Sequence, residues 1–95
     1  AVMASTVTEW LISQARYDEA IAVADVLLEY YPTDVHVMLA RGSAYGELLR
    51  IEFVEQFPNP QTIPDSLHSR FQMLASQNAA AFGQAEAWGW TPAAQ

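Results

Sequence analysis

Prolines stand at positions 32, 58, 60, 64 and 92 and nowhere else in the 95 residues. A proline inside a helix removes a backbone donor and clashes with the preceding turn, so regular structure has to fit between these points. Between them, apolar residues recur at spacings of three and four, and alanine, leucine, glutamate and glutamine dominate. No Asn-Gly or Asp-Gly pair marks a hairpin, and no period-two alternation is sustained. The chain is therefore expected to be all-α, a single domain over 1–95 with helices at roughly 6–15, 17–30, 34–57 and 63–88.

Each boundary has a local cause. Thr6-Val7-Thr8-Glu9 fits a capping box ahead of the first apolar run, which fades between Gln14 and Arg16. Tyr17 to Tyr30 carries Asp18 and Glu19 in its first turn, where the helix dipole favours acids, and Pro32 closes it. Thr33 or Asp34 then caps a third helix. Gly42 and Gly46 weaken this stretch but neither sits beside a turn residue, so one long helix is expected up to "FPNPQ". Thr62-Ile63-Pro64-Asp65 restarts the chain with a threonine cap, a first-turn proline and an acid. The fourth helix aligns Leu67, Phe71, Leu74, Asn78, Phe82, Ala85 and Trp88 in one stripe with a single polar member. At its end, Gly89 is placed to take the left-handed conformation, Trp90 to fold back, and Pro92 to prevent continuation.

Composition narrows the function classes. Hydrophobic residues make up 52% and charged residues 16%, which is too apolar for a solvated disordered chain and leaves apolar surface for an interface. Eleven acids face four arginines and no lysine, for a net charge of -7. Without a basic stripe, neither nucleic acid nor an anionic membrane surface is an expected partner. There is no cysteine; small secreted domains more often carry disulfides, and the expected location is cytoplasmic. No apolar run reaches membrane-spanning length, and the N-terminus has no charged-then-apolar pattern. The opening "AVMAST" lacks an initiator methionine, so a trimmed chain, a proteolytic product or a piece of a longer protein is expected.

The stretch "YDEAIAVADVLLEYYP" resembles the second half of a tetratricopeptide repeat. Tyr17, Ala20, Ala24, Leu27 and Pro32 hold that motif's aromatic, small, small, apolar and proline positions. The family's period places a new first helix after Pro32, and "MLARGSAYGELL" is similar to one, with Gly42 and Tyr45 at its small and aromatic positions. The resemblance covers about half of the chain. Upstream, Thr8 and Leu11 replace the usual glycine and aromatic. Downstream, Leu49-Arg50-Ile51-Glu52 replaces the inter-helix turn and Ser66 the next proline. It thus implies one recognisable helix-turn-helix repeat, a long third helix and a C-terminal capping helix.

In this family the inner face of each first helix binds peptides or proteins. By position, the resemblance implies partner-binding residues Ser5, Glu9, Ile12 and Ser13, then His36, Leu39, Ser43 and Glu47. None is the lysine or asparagine of the family's carboxylate clamp. The implied groove is apolar with acidic spots, which suits a basic or amphipathic segment of a protein or peptide. The alternative is a homo-oligomerising or accessory helical domain, a homodimer or the tail of a larger, enzymatic protein. Solvent-facing residues or packing on the fourth helix would explain the same positions.

Other combinations have plainer readings. Asp65 and His68 lie three apart on a helix, but two ligands do not make a metal site. Glu52 and Glu55 form a carboxylate pair with nothing in sequence to raise one pKa. There is no G-x-S-x-G, P-loop or cysteine nucleophile. The expectation is a protein that is not an enzyme and uses no cofactor or metal. The G-x-x-x-G from Gly42 to Gly46 suits close helix packing. Asn78 either fixes the register of a helix pair or bonds to a carbonyl at a neighbouring helix end. Trp10, Trp88, Trp90, Tyr30 and Tyr31 are the large amphipathic side chains enriched at interfaces, and Trp10 and Tyr31 are the ones least consumed by the core.

Overall fold

The computed structural model describes residues 2–92, with side chains from residue 4 onward. Helix α1 runs Val2–Ser13, α2 Tyr17–Tyr30, α3 Val35–Leu49 and α4 His68–Ala87, and the described residues contain no strand. None of these helices is long and apolar enough to cross a membrane.

Helix α1 starts upstream of the expected Thr6 boundary, so Thr6 to Glu9 lies inside it and does not cap it. Its end is closed by a left-handed residue, Ala15 at φ 58°. The Arg16 N–H donates to the Leu11 carbonyl and the Ala15 N–H to that of Ile12, both at 2.9 Å. This is the glycine-type helix stop with alanine in the strained position. Helix α2 has the expected bounds, and its last carbonyls receive the Tyr31 N–H at Leu27 before Pro32.

Of the two caps open for α3, Asp34 is the one used. Its carboxylate accepts from the His36 and Val37 N–H groups at 3.0 and 3.3 Å. The expected single helix to residue 57 is corrected: α-geometry stops at Leu49, and Arg50–Val54 form a π-helical turn. The Glu55 N–H reaches back to the Arg50 carbonyl at 2.9 Å. The extra residue in this turn buries Phe53 while Ile51 and Val54 stay exposed. Arg50 bridges Glu47 and Glu55 across it.

The restart at 63 is corrected too. Asn59 caps a short 3-10 turn, Pro60–Thr62, by accepting from the Gln61 N–H at 3.0 Å. Thr62 donates to the Asn59 carbonyl and caps nothing in α4. A second 3-10 turn, Asp65–Leu67, leads into α4. The far end of α4 closes as its sequence implies. Gly89 has φ 98°, its N–H donates to the Glu86 carbonyl at 3.0 Å, and the Trp90 N–H donates to that of Ala85 at 3.1 Å. The Trp90 ring folds back to 5.7 Å from Phe82.

Helix α1 packs on α2 and α3, α2 on α3, and α3 on α4. One core cluster gathers Leu48, Phe53, Ile63 and Leu74; the other gathers Leu11, Ala20 and Ala44, and Tyr17 and Ile21 border both. The α4 stripe is buried only in its middle, where Ala81 joins Leu74 and Ala85, while Leu67 and Trp88 at its ends are exposed.

Close approach governs the α3–α4 seam. A Cβ on Gly42 would meet Phe82 at 3.0 Å and Ala81 at 3.1 Å, and one on Gly46 would meet the Asn78 amide nitrogen at 3.0 Å. Asn78 donates to the Gly42 carbonyl at 2.9 Å. That carbonyl lies in the middle of α3, not at a helix end, so the bond ties α4 to one position along α3.

Candidate functional site

The family-implied face is divided by its packing. Because α1 and α3 are in contact, their shared side turns Ser5 inward, where it is 2% exposed. Ser5 therefore does not line an open surface. Ile12 and Leu39 are half-buried, and Ile12 borders the Leu11 cluster. Glu9, Ser13, His36 and Ser43 are exposed. Ser13 donates to the Trp10 carbonyl at 2.6 Å. Glu47 is half-buried and already engaged, accepting from Arg50 at 2.5 Å and from the Tyr17 hydroxyl at 3.4 Å. What remains available is a shallow face with Glu9 as its unengaged charge.

Every arginine is neutralised within the chain. Arg16 pairs with Glu19 and lies 5.6 Å over Trp10. Arg41 reaches Asp25 at 2.7 Å and Gln77 at 3.2 Å, with its guanidinium 5.0 Å over Tyr45. Arg50 serves Glu47 and Glu55. Arg70 grips Glu52 through two bonds, at 3.0 and 2.8 Å. Hydrogen bonding from Arg16, Arg50 and Arg70 holds the carboxyls of Glu19, Glu47 and Glu52 below the usual carboxylate range. Among the described residues, Glu9, Asp18, Glu29, Asp65 and Glu86 pair with no arginine, so the outward field is acidic.

The Glu52 shift runs opposite to what a carboxylic acid needs for proton donation near neutral pH. Asp65 and His68 sit 3.8 Å apart with Asp65 open to solvent, and the His68 ring nitrogen lies 3.0 Å from the Ile63 carbonyl. The described residues hold no group of three metal-ligating side chains.

Two contiguous clefts lie at the C-terminal end of α3. One, of about 190 Å³, is walled by Leu49, Phe53, Val54, Phe57, Pro58, Pro60, Ile63 and Phe71. The other, of about 180 Å³, shares Pro60, Ile63 and Phe71 and adds His68 and Gln72. The Phe53 ring stands edge-on to Phe71 at 5.3 Å and lies 6.4 Å from Phe57. Sequence reasoning took "FPNPQ" only as a helix stop. The available signal is two prolines set between phenylalanines at 53, 57 and 71.

Large apolar side chains are also exposed on the first helix pair: Val7, Trp10, Val26, Tyr30 and Tyr31, between 50% and 74%. Compared with protein families, curated proteins and solved structures, the chain matches none.

Proposed function

We propose that this chain is a non-catalytic, tetratricopeptide-like module that binds a protein or peptide partner. The partner is a basic or amphipathic segment. The observation that carries this reading is the presence on α1 and α2 of exposed aromatic and aliphatic side chains, Val7, Trp10, Val26 and Tyr30, together with two acids that pair with no arginine, Glu9 and Glu29. Large amphipathic rings are the usual anchors of interfaces, and unengaged carboxylates steer cationic partners. Support for the architecture comes from the helix contacts, α1 on α2 and both on α3. It also comes from the buried small positions Ala20, Ala24 and Gly42, which the repeat requires for close approach.

Selection of random peptides on the immobilised chain, followed by fluorescence titration of those recovered, tests the proposal. Recovered peptides should be rich in lysine or arginine. Glu9→Lys and Leu39→Ala should each weaken them about fivefold with helicity retained, in line with a loss of ~1 kcal/mol. Peptides that bind both variants undiminished would overturn it.

A second reading has its own observation. A stripe along the outward side of α4, with Met73, Ser76, Ala80, Gly83 and Ala87 all exposed, contains no charged residue and has Glu86 near its C-terminal end, so a second copy meets the least repulsion along its N-terminal part. Sedimentation that finds only monomer at high concentration removes this homodimer.

A further inference from the structure

We propose that the cleft beside the π-helical turn is a second docking site, independent of the α1–α3 face, for one bulky apolar side chain of a peptide flanked by lysine or arginine. The walls are aromatic and aliphatic and include two prolines, Pro58 and Pro60, whose rings fix the local backbone. At about 190 Å³ the cleft is larger than the ~150 Å³ apolar cavity that accepts a benzene ring. It is smaller than the ~300 Å³ at which drug-sized sites begin. One ring or branched aliphatic group fits that volume, and the contiguous second cleft gives the neighbouring peptide backbone a path past His68 and Gln72.

The surrounding charges decide what flanks that group. Glu47 and Glu55 share the single cation of Arg50. Glu52 takes all of Arg70's paired contacts, and the charge of Asp18 also acts on Arg70. Asp65, between the two clefts' walls in sequence, has no arginine. In and beside the chain segments that wall the clefts, carboxylates therefore outnumber guanidiniums, which complements a cationic peptide and repels an acidic one. A second copy is disfavoured as the occupant because it carries the same net charge of -7, and two like-charged bodies repel.

The cleft is preorganised. Arg50 braces the π turn from both sides, and Arg70–Glu52 ties that turn to α4. A peptide side chain entering it would order few residues of the domain.

Isotope-labelled chain titrated with the probe acetyl-Lys-Lys-Trp-Lys-Lys-amide, followed by amide chemical shifts, tests the proposal. Saturable shifts are expected within residues 49–72. Replacing the peptide's tryptophan by alanine, or its lysines by glutamates, should weaken binding about tenfold. Val54→Arg, at a position 57% exposed, should weaken the tryptophan probe about as much without unfolding the chain. Asp65→Lys should weaken it less and narrow the gap between the lysine and glutamate peptides. Absence of saturable shifts, equal binding of the acidic peptide, or undiminished binding to Val54→Arg would each overturn the proposal. Shifts confined to Glu9, Ser13 and Leu39 would also overturn it while leaving the α1–α3 reading intact.

Discussion

The buried small residues of α1 and α2 are Ser5, Thr8, Ala20 and Ala24, and their inner positions include a Thr8 hydroxyl with no hydrogen-bond partner. The α3–α4 pair instead sets Gly42 and Gly46 against Ala81, Phe82 and Asn78, and its polar member, Asn78, is bonded to the Gly42 carbonyl. Both pairs bring backbones close, but they specify position differently. Ala20 and Ala24 bring small apolar surfaces to the α1–α2 seam, and such surfaces by themselves accept several registers. An amide that must meet one carbonyl accepts one register, since sliding would bury it unpaired. The connections differ in the same sense. α1 passes to α2 through a tight stop at Ala15, whereas α3 reaches α4 through the π turn and the two 3-10 turns. The longer path lets the second pair lock tightly along α3 and still leave a cleft at its end.

The sharpest way to break this contrast is to add one methyl group. Gly42→Ala puts a Cβ 3.0–3.2 Å from Phe82 and Ala81, and the Ala81 Cβ is fixed to its own helix. The overpacking should cost about 1–3 kcal/mol against the ~1 kcal/mol that alanine gains over glycine in a helix, a net loss of up to ~2 kcal/mol. Gly83→Ala adds the same methyl to the outer face of α4, where nothing lies within 4 Å, and should stabilise by up to ~1 kcal/mol. Denaturant titration of both variants measures the difference. A Gly42→Ala variant as stable as Gly83→Ala would remove close approach as the basis of the seam.

On the other pair the informative change deletes polarity and leaves volume alone. Thr8 is fully buried and its hydroxyl oxygen has no partner. Thr8→Val keeps the branched shape and removes a desolvated donor, so stability should rise by about 1 kcal/mol. A fall in the unfolding midpoint would mean that the hydroxyl holds a bond worth keeping, and the α1–α2 pair would then carry a register device of its own. Asn78→Leu on the second pair should go the other way, because the larger side chain must fit beside Gly46.

These pairs also show what the sequence made legible. Elements fixed by local chemistry were readable: α2 between Tyr17 and Pro32, the Asp34 cap, and the Gly89–Trp90 stop all depend on residues within a few positions. The Thr6 capping box misled because its pattern is also acceptable inside a helix, where packing on α2 and α3 extends α1 back to Val2. The π turn was hidden because no residue type in Arg50–Val54 requires it; it is set by burying Phe53 against Phe71. The cleft was hidden for a related reason. Leu49, Phe53, Pro60, Ile63 and Phe71 come from separate segments that meet only in three dimensions. Of the family-implied face, the exposure of Ser5 depended on how α1 rotates against its neighbours, which one repeat's spacing does not set.

The smallest effect concerns how each pair uses its ion pairs. Arg70 and Glu52 join α4 to the π turn across eighteen positions of chain, while Arg16 and Glu19 are three apart at the start of α2 and open to solvent. Hydrogen bonding to Arg70 holds the Glu52 carboxyl below its usual range despite an opposing contribution from burial. A carboxyl that is more acidic in the folded than in the unfolded state adds stability above its unfolded pKa of about 4.3, and that stability is lost as pH falls through the lower folded value. Glu52→Gln should therefore be less stable than the parent at pH ~6, and the gap should narrow as pH falls through the lowered folded value of Glu52. The gap should stay below about 1 kcal/mol, because side-chain exposures of 39% for Arg70 and 34% for Glu52 let solvent screen the pair. Glu19→Gln should track the parent more closely over the same range, its pair being local and exposed. Unfolding curves collected across this range decide the matter. A gap for Glu52→Gln that does not close in acid would make the loss a packing effect of the glutamine and not of the charge. Equal gaps for both variants would mean that the bond between α4 and the π turn contributes no more than a surface pair, and that aromatic packing alone holds the cleft open.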